Sequence, residues 1–138
     1  FAYGVSQLEG YDYILKLDND IETVTEDIIN KMVQFIKKNG AHCVSPIDLM
    51  IDPKFYPKIL NRRIIDGQIV QYTTHTGGAF QLAPYAYVKK LCDEYVQLKA
   101  GDYVIGSFYR RKKCPPCYLT DLHMKHIGLN RTSPNYIL

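Results

Sequence analysis

Tryptophan is missing from this chain of 138 residues, and so is any strong excess of one charge, since the net charge is only +3. A balance this mild gives no reason to expect nucleic acid as a partner. No apolar run approaches the ~18 residues of a membrane-spanning helix, and no signal-peptide pattern is present. A cytoplasmic setting is the expectation, with membrane association left to a longer parent protein. The four cysteines are too few for a secreted disulfide scaffold of this size. Cys43 and Cys92 lie in apolar stretches and read as buried thiols. With 46% apolar and 22% charged residues, a folded single domain is expected rather than a disordered segment. The chain opens on Phe1 rather than Met, as an excised piece of a longer protein would.

What is abundant is tyrosine, with twelve residues, mostly at spacings that suit the edges of a core. The most informative stretch is Tyr11-Asp12-Tyr13-Ile14-Leu15-Lys16-Leu17-Asp18-Asn19-Asp20, an apolar strand running into two carboxylates. Residues two apart on an extended backbone point to the same side, so Asp18 and Asp20 converge. Carboxylates held that close repel each other unless a cation lies between them. Oxygen ligands suit Mg²⁺ or Mn²⁺. A polar turn rich in Asp and Asn is the competing reading.

Downstream, Thr23-Val24-Thr25-Glu26 has the form of a capping box. Ile28, Ile29, Met32, Val33 and Ile36 give a helical apolar face that stops at Asn39-Gly40. A short strand, His42 to Ile47, follows. Strand, helix and strand in this order predict a βαβ unit and a parallel sheet. The stretch from Asp48 to Asp66 reads as a surface excursion, with a hairpin around Asp66-Gly67. Ile69–Thr73 and Ala79–Ala83 read as strands. Helices are expected after Pro84, carrying Val88, Leu91, Cys92 and Tyr95, and from Gly101-Asp102, carrying Val104, Ile105, Phe108 and Tyr109. From Tyr118 onward a short strand and an irregular tail are expected, the latter including the Asn130-Arg131-Thr132 sequon.

Several groups carry candidate chemistry. Gly77 and Gly78 in Gly77-Gly78-Ala79-Phe80 suit a turn with positive φ or close approach to a ligand. Asp102 at a helix start is either an N-cap or a general base for an acceptor hydroxyl. His123 and His126 offer imidazoles, either of which would complete a mixed oxygen and nitrogen metal site. Cys114-Pro115-Pro116-Cys117 with those histidines supplies four nominal zinc ligands, but at spacings unlike a zinc finger. Arg62-Arg63 and Arg110-Arg111-Lys112-Lys113 are basic clusters, read as solvated faces or phosphate contacts.

In their order along the chain these motifs resemble the catalytic domain of family-two glycosyltransferases, which have the GT-A fold. The matching pieces are Tyr13 to Asp20 for the DxD strand, Gly77-Gly78-Ala79-Phe80 for the turn before the acceptor region, Gly101-Asp102-Tyr103-Val104 for the Glu-Asp-Val motif, and His126-Ile127-Gly128 for a late histidine. Gly101 stands where that family usually has Glu. The resemblance implies an α/β, partial GT-A (nucleotide-diphospho-sugar transferase-like) domain over 1–138, with a mixed, mostly parallel sheet and flanking helices. It also implies that the chain is the C-terminal portion of a catalytic domain, the N-terminal nucleotide-binding βα units being absent. The function implied is metal-assisted, inverting transfer of a sugar from a nucleotide-diphosphate sugar to a saccharide or lipid-linked acceptor. Asp18, Asp20 and His126 would contact Mn²⁺ or Mg²⁺, Asp18, Asp20, Gly77 and Gly78 the donor, and Asp102 would be the base. The resemblance further implies poor turnover by the piece alone and self-association into a homo-oligomer through an exposed sheet edge. A non-catalytic carbohydrate- or nucleotide-binding domain of the same architecture and a zinc-stabilised interaction domain are the rival expectations.

Overall fold

The computed structural model describes residues 4–5, 7–95 and 101–127. The expected tail, with Gly128 and the sequon, lies outside them, as do residues 1–3 and 6 of the opening stretch. The elements are β1 (Tyr13–Leu17), β2 (Ile21–Thr23), α1 (Ile28–Asn39), β3 (Cys43–Asp48), a 3₁₀ turn (Pro53–Phe55), β4 (Ile59–Ile65), β5 (Gln68–Thr73), β6 (Phe80–Pro84), α2 (Tyr85–Glu94), α3 (Asp102–Arg111) and β7 (Pro116–His126). Together they make an α/β fold with one mixed sheet of seven strands and three helices among the described residues. Strand order is β1-β6-β3-β7-β5-β4, and β2 pairs with the far end of β7. β1 and β4 therefore each keep one edge without a strand partner among the described residues.

Alternation along the strands divides the interior between two faces. Val44, Val70, Leu82, Cys117 and Leu119 pack against Ile28, Met32, Phe35 and Ile36 of α1. Their neighbours Ile14, Cys43 and Ala83 meet Val88, Leu91 and Cys92 of α2 and Phe108 and Tyr109 of α3 on the other side. Burying a side chain of this size stabilises by ~1.5–3 kcal/mol. The contact between sheet and helices therefore dominates over any local preference.

The sheet is not mostly parallel. Only β3 and β7 pair in parallel, and the other strand pairs are antiparallel. β1 and β3 do run in the same direction around α1, but β6 enters between them antiparallel to both. Alternation within a segment carries no information about such an insertion from ~35 residues downstream.

Local departures have local causes. α1 begins at Ile28, after Asp27 in a left-handed conformation, and no side chain caps it. The Thr25 hydroxyl of the expected capping box instead accepts the His123 N–H at 2.8 Å. Ile29 is exposed, while Phe35, not anticipated, faces the core. The surface excursion contains all of β4, which joins β5 through Asp66 (φ 52°) and Gly67 (φ 77°), a tight hairpin turn as expected. The short strand expected from Tyr118 is part of the eleven-residue β7. Thr120 and Asp121 interrupt its apolar pattern where the register with β3 shifts.

Candidate functional site

β1, β3 and β7 point the same way, and their carboxyl ends meet at one edge of the sheet. Ligand sites in open α/β sheets gather at such ends. Asp18 follows β1, with its N–H donated to the Ala79 carbonyl at 2.9 Å. A turn then leads into β2, where Ile21 pairs with His126 of β7. The Ile127 N–H closes the arrangement on the Asp20 carbonyl at 2.9 Å. Ligand atoms of Asp18, Asp20 and His126 consequently all lie within 4.8 Å of one another. The expected convergence is present, produced by a turn and a strand pair rather than by alternation along a single strand.

His126 Nε2 is 3.0 Å from Asp20 Oδ1, with the imidazole buried and the carboxylate partly open. Lys16 Nζ lies 2.8 Å from Asp18 Oδ1 and also donates to the Gly78 carbonyl. Buried Asp48, at the end of β3, accepts N–H bonds from Met50 at 2.9 Å and His126 at 3.2 Å. Its carboxylate thus ties β3 to the backbone that presents the imidazole. Sequence reasoning missed this residue, which read as the first position of a loop.

These groups open into a cavity of about 420 Å³, whose lining includes Lys16, Asp18, Asp48, Gly78, Asp102 and His126. Asp102 is the first residue of α3 and does not serve as its N-cap, which is Gly101. Its Oδ2 accepts the Gly78 N–H at 3.2 Å. Gly77 and Gly78 are not among the positive-φ glycines. The glycine requirement at 78 is spatial, because a Cβ there would lie 2.9 Å from Asp102 Oδ1. The Gly77 N–H donates to Tyr118 Oη at 2.8 Å, and burial, the largest influence, pushes that phenol up. Ser45 Oγ also lines the cavity, buried and with no hydrogen-bond partner among the described residues.

His75 completes the wall beside Asp102. Its Nδ1 lies 3.0 Å from Thr74 Oγ1, and its ring stands edge-on to Tyr103. Burial lowers its pKa, an effect offset by Asp102 and reinforced by Arg110. Burial thus favours the neutral imidazole.

The four nominal zinc ligands do not assemble. Cys117 belongs to the interior against α1 and Cys114 to the interior against α2 and α3, on opposite sides of the sheet. Burial raises both thiols above their ordinary range, and that of Cys43 to about 12. Among the described residues, Asp18, Asp20 and His126 form the one group with metal-ligand geometry.

No protein-family model matches the chain, and no curated protein matches it.

Proposed function

We propose that this chain is part of a metal-dependent glycosyltransferase of GT-A type, transferring a sugar from a nucleotide-diphosphate donor to a hydroxyl acceptor with inversion. The observation that carries this reading is the convergence of Asp18, Asp20 and His126 within 4.8 Å at the mouth of a cavity that Asp102 also lines. Two carboxylates and an imidazole suit a hard to borderline divalent ion, with Mn²⁺ the better match and Mg²⁺ the alternative. Two ligand bonds of about 2.1 Å separate donor atoms by no more than about 4.2 Å. Rotation of the half-exposed Asp18 carboxylate closes that small difference. Bound there, the ion would neutralise charge on the departing nucleoside diphosphate.

The chain's own residues would do the rest. Lys16, beside Asp18, gives the diphosphate a second positive partner. Gly77 and Gly78, whose N–H groups are already engaged within the protein, offer the donor a wall without side chains. Asp102 accepts the proton of the acceptor hydroxyl as its oxygen attacks the anomeric carbon. The bond from that carbon to the diphosphate breaks in the same displacement, and its electron pair leaves with the nucleotide. The saccharide or lipid-linked nature of the acceptor belongs to this proposal.

The test is Mn²⁺ binding by EPR, with and without UDP, on the native chain and on Asp18→Asn/Asp20→Asn. UDP should tighten Mn²⁺ binding, the double substitution should abolish the effect, and Lys16→Met should strengthen metal binding by removing the competing ammonium. A native chain with no Mn²⁺ site under either condition overturns the reading. Asp102→Asn separates an enzyme, which loses turnover and keeps donor binding, from a binding module, which has no turnover to lose.

A further inference from the structure

Among the described residues, the sheet face that carries the site is covered on one half only. Helices α2 and α3 pack over β1, β6 and β7. Further out, Tyr118 pairs with Gln71, and Gln71 with Arg62, so these three side chains share the site's face. Ile64 pairs with Ile69 in the next row on that face, and these side chains are 77% and 46% exposed. Leu60 in β4 and Phe55 in the preceding turn are 52% and 55% exposed. Residues 53–65 contain Lys54, Lys58, Arg62 and Arg63 and no carboxylate. Arg63, paired with Val70, belongs to the α1 side, which leaves Lys54, Lys58 and Arg62 as the cations of this half-face.

We propose that this half-face, built from the 53–65 segment and the β4–β5 hairpin, is a docking surface for an anionic lipid bilayer. Apolar side chains interleaved with cations match such a surface on both counts, since the isoleucines enter the interface while the cations meet lipid phosphates. The ion pair of Lys54 with Asp52, at 3.1 Å, lies at the edge of the segment. Arg62 donates from Nε to Gln71 Oε1 at 3.3 Å. Each of these contacts occupies only part of a cation's bonding capacity. A second copy of the chain is the poorer occupant. Two β4 edges pairing antiparallel about their middle would set Arg62 against Arg62 of the copy, and like charges across strands destabilise. The proposal is independent of the sugar-transfer reading, although it would place the cavity beside the membrane surface.

Vesicle flotation tests it, with phosphatidylcholine alone and with phosphatidylcholine containing phosphatidylglycerol. The native chain should float with the anionic vesicles, remain behind with the neutral ones, and be released by salt. Lys58→Gln/Arg62→Gln and Ile64→Ser/Ile69→Ser should each lower the bound fraction about tenfold or more. Their thermal unfolding should match the native chain, because the altered side chains are exposed. Failure to float, equal binding to neutral vesicles, or binding that survives both double variants overturns the proposal. So does sedimentation showing a dimer that the isoleucine variant dissolves, which would assign the face to a second copy.

Discussion

The two faces of the sheet are held by different means. Against α1 the contact is bulk burial, with Met32, Phe35 and Ile36 meeting Val44, Leu82 and Leu119. His42 there is bonded to the Gly40 carbonyl at 2.8 Å and to Tyr72 Oη at 3.2 Å. On the opposite face the helices stop partway, and polar groups begin where they stop, with Ser45, Thr76 and His75. That side relies on close backbone approach, because Gly106 of α3 sits directly on Thr74 and His75. The candidate chemistry lies at the margin of the second face, which adds this close backbone fit to an apolar core of its own.

The largest expected effect follows from that fit. A Cβ at Gly106 would lie 2.4 Å from the Thr74 carbonyl oxygen and 2.6 Å from the His75 Cα, both of them fixed by the backbone. Gly106→Ala should therefore lift α3 and cost about 4 kcal/mol, read as a drop in the denaturation midpoint. Because Asp102 begins the same helix, its bond to Gly78 should be lost as well. Phe35→Ala probes the other face and should cost about 3 kcal/mol through the cavity left under α1. Phe35→Ala should leave Mn²⁺ binding per folded molecule unchanged. If Gly106→Ala proves milder than Phe35→Ala in urea unfolding, the contrast between fit and bulk fails.

The convergence of Asp18 with Asp20 and the α1 face could be read in advance because their signals are local, as carboxylates after an apolar strand or apolar residues at helical spacing. Asp48 and Gly106 could not. Asp48 acts on the backbone of a residue 78 positions away, and a glycine within a helix gives no sign of what lies against it. The length of β4 beyond the hairpin expected around Asp66-Gly67 escaped notice because an edge strand tolerates the mixture Leu60-Asn61-Arg62-Arg63-Ile64 without alternation. The full length of β7 was hidden because a strand paired along both edges need not alternate. Where β6 inserts depends on pairing between distant segments, which periodicity within a segment does not encode.

A smaller test concerns the strap between the faces. The Thr25 hydroxyl takes the His123 N–H at 2.8 Å, and the Val24 N–H returns to the His123 carbonyl at 3.0 Å. Thr25→Ala should cost about 1 kcal/mol by stranding that N–H, and Thr25→Ser should restore most of it. Amide exchange at His123 should accelerate in the alanine variant alone. Equal exchange in both variants would mean that the methyl group rather than the hydroxyl matters.

The smallest effect sets one histidine of each face against the other. Burial lowers the pKa of His42, with the Gly40 carbonyl opposing it, and burial also lowers that of His75, with Asp102 opposing it. In both cases the unfolded chain takes up the proton first as pH falls. The stability each neutral imidazole contributes is complete above the unfolded value of about 6.5 and declines below it, until the folded group also protonates. The melting temperature should therefore fall gently as the solution is acidified through about pH 6.5. His42→Gln should flatten the part of that slope due to the α1 face. Asp102→Asn should instead steepen the part due to His75, because it removes the carboxylate that favours the imidazolium. Were Asp102→Asn to leave the slope unchanged, His75 and Asp102 would not be electrostatically linked in solution, and the cavity wall that they share would be less tightly joined than their proximity indicates.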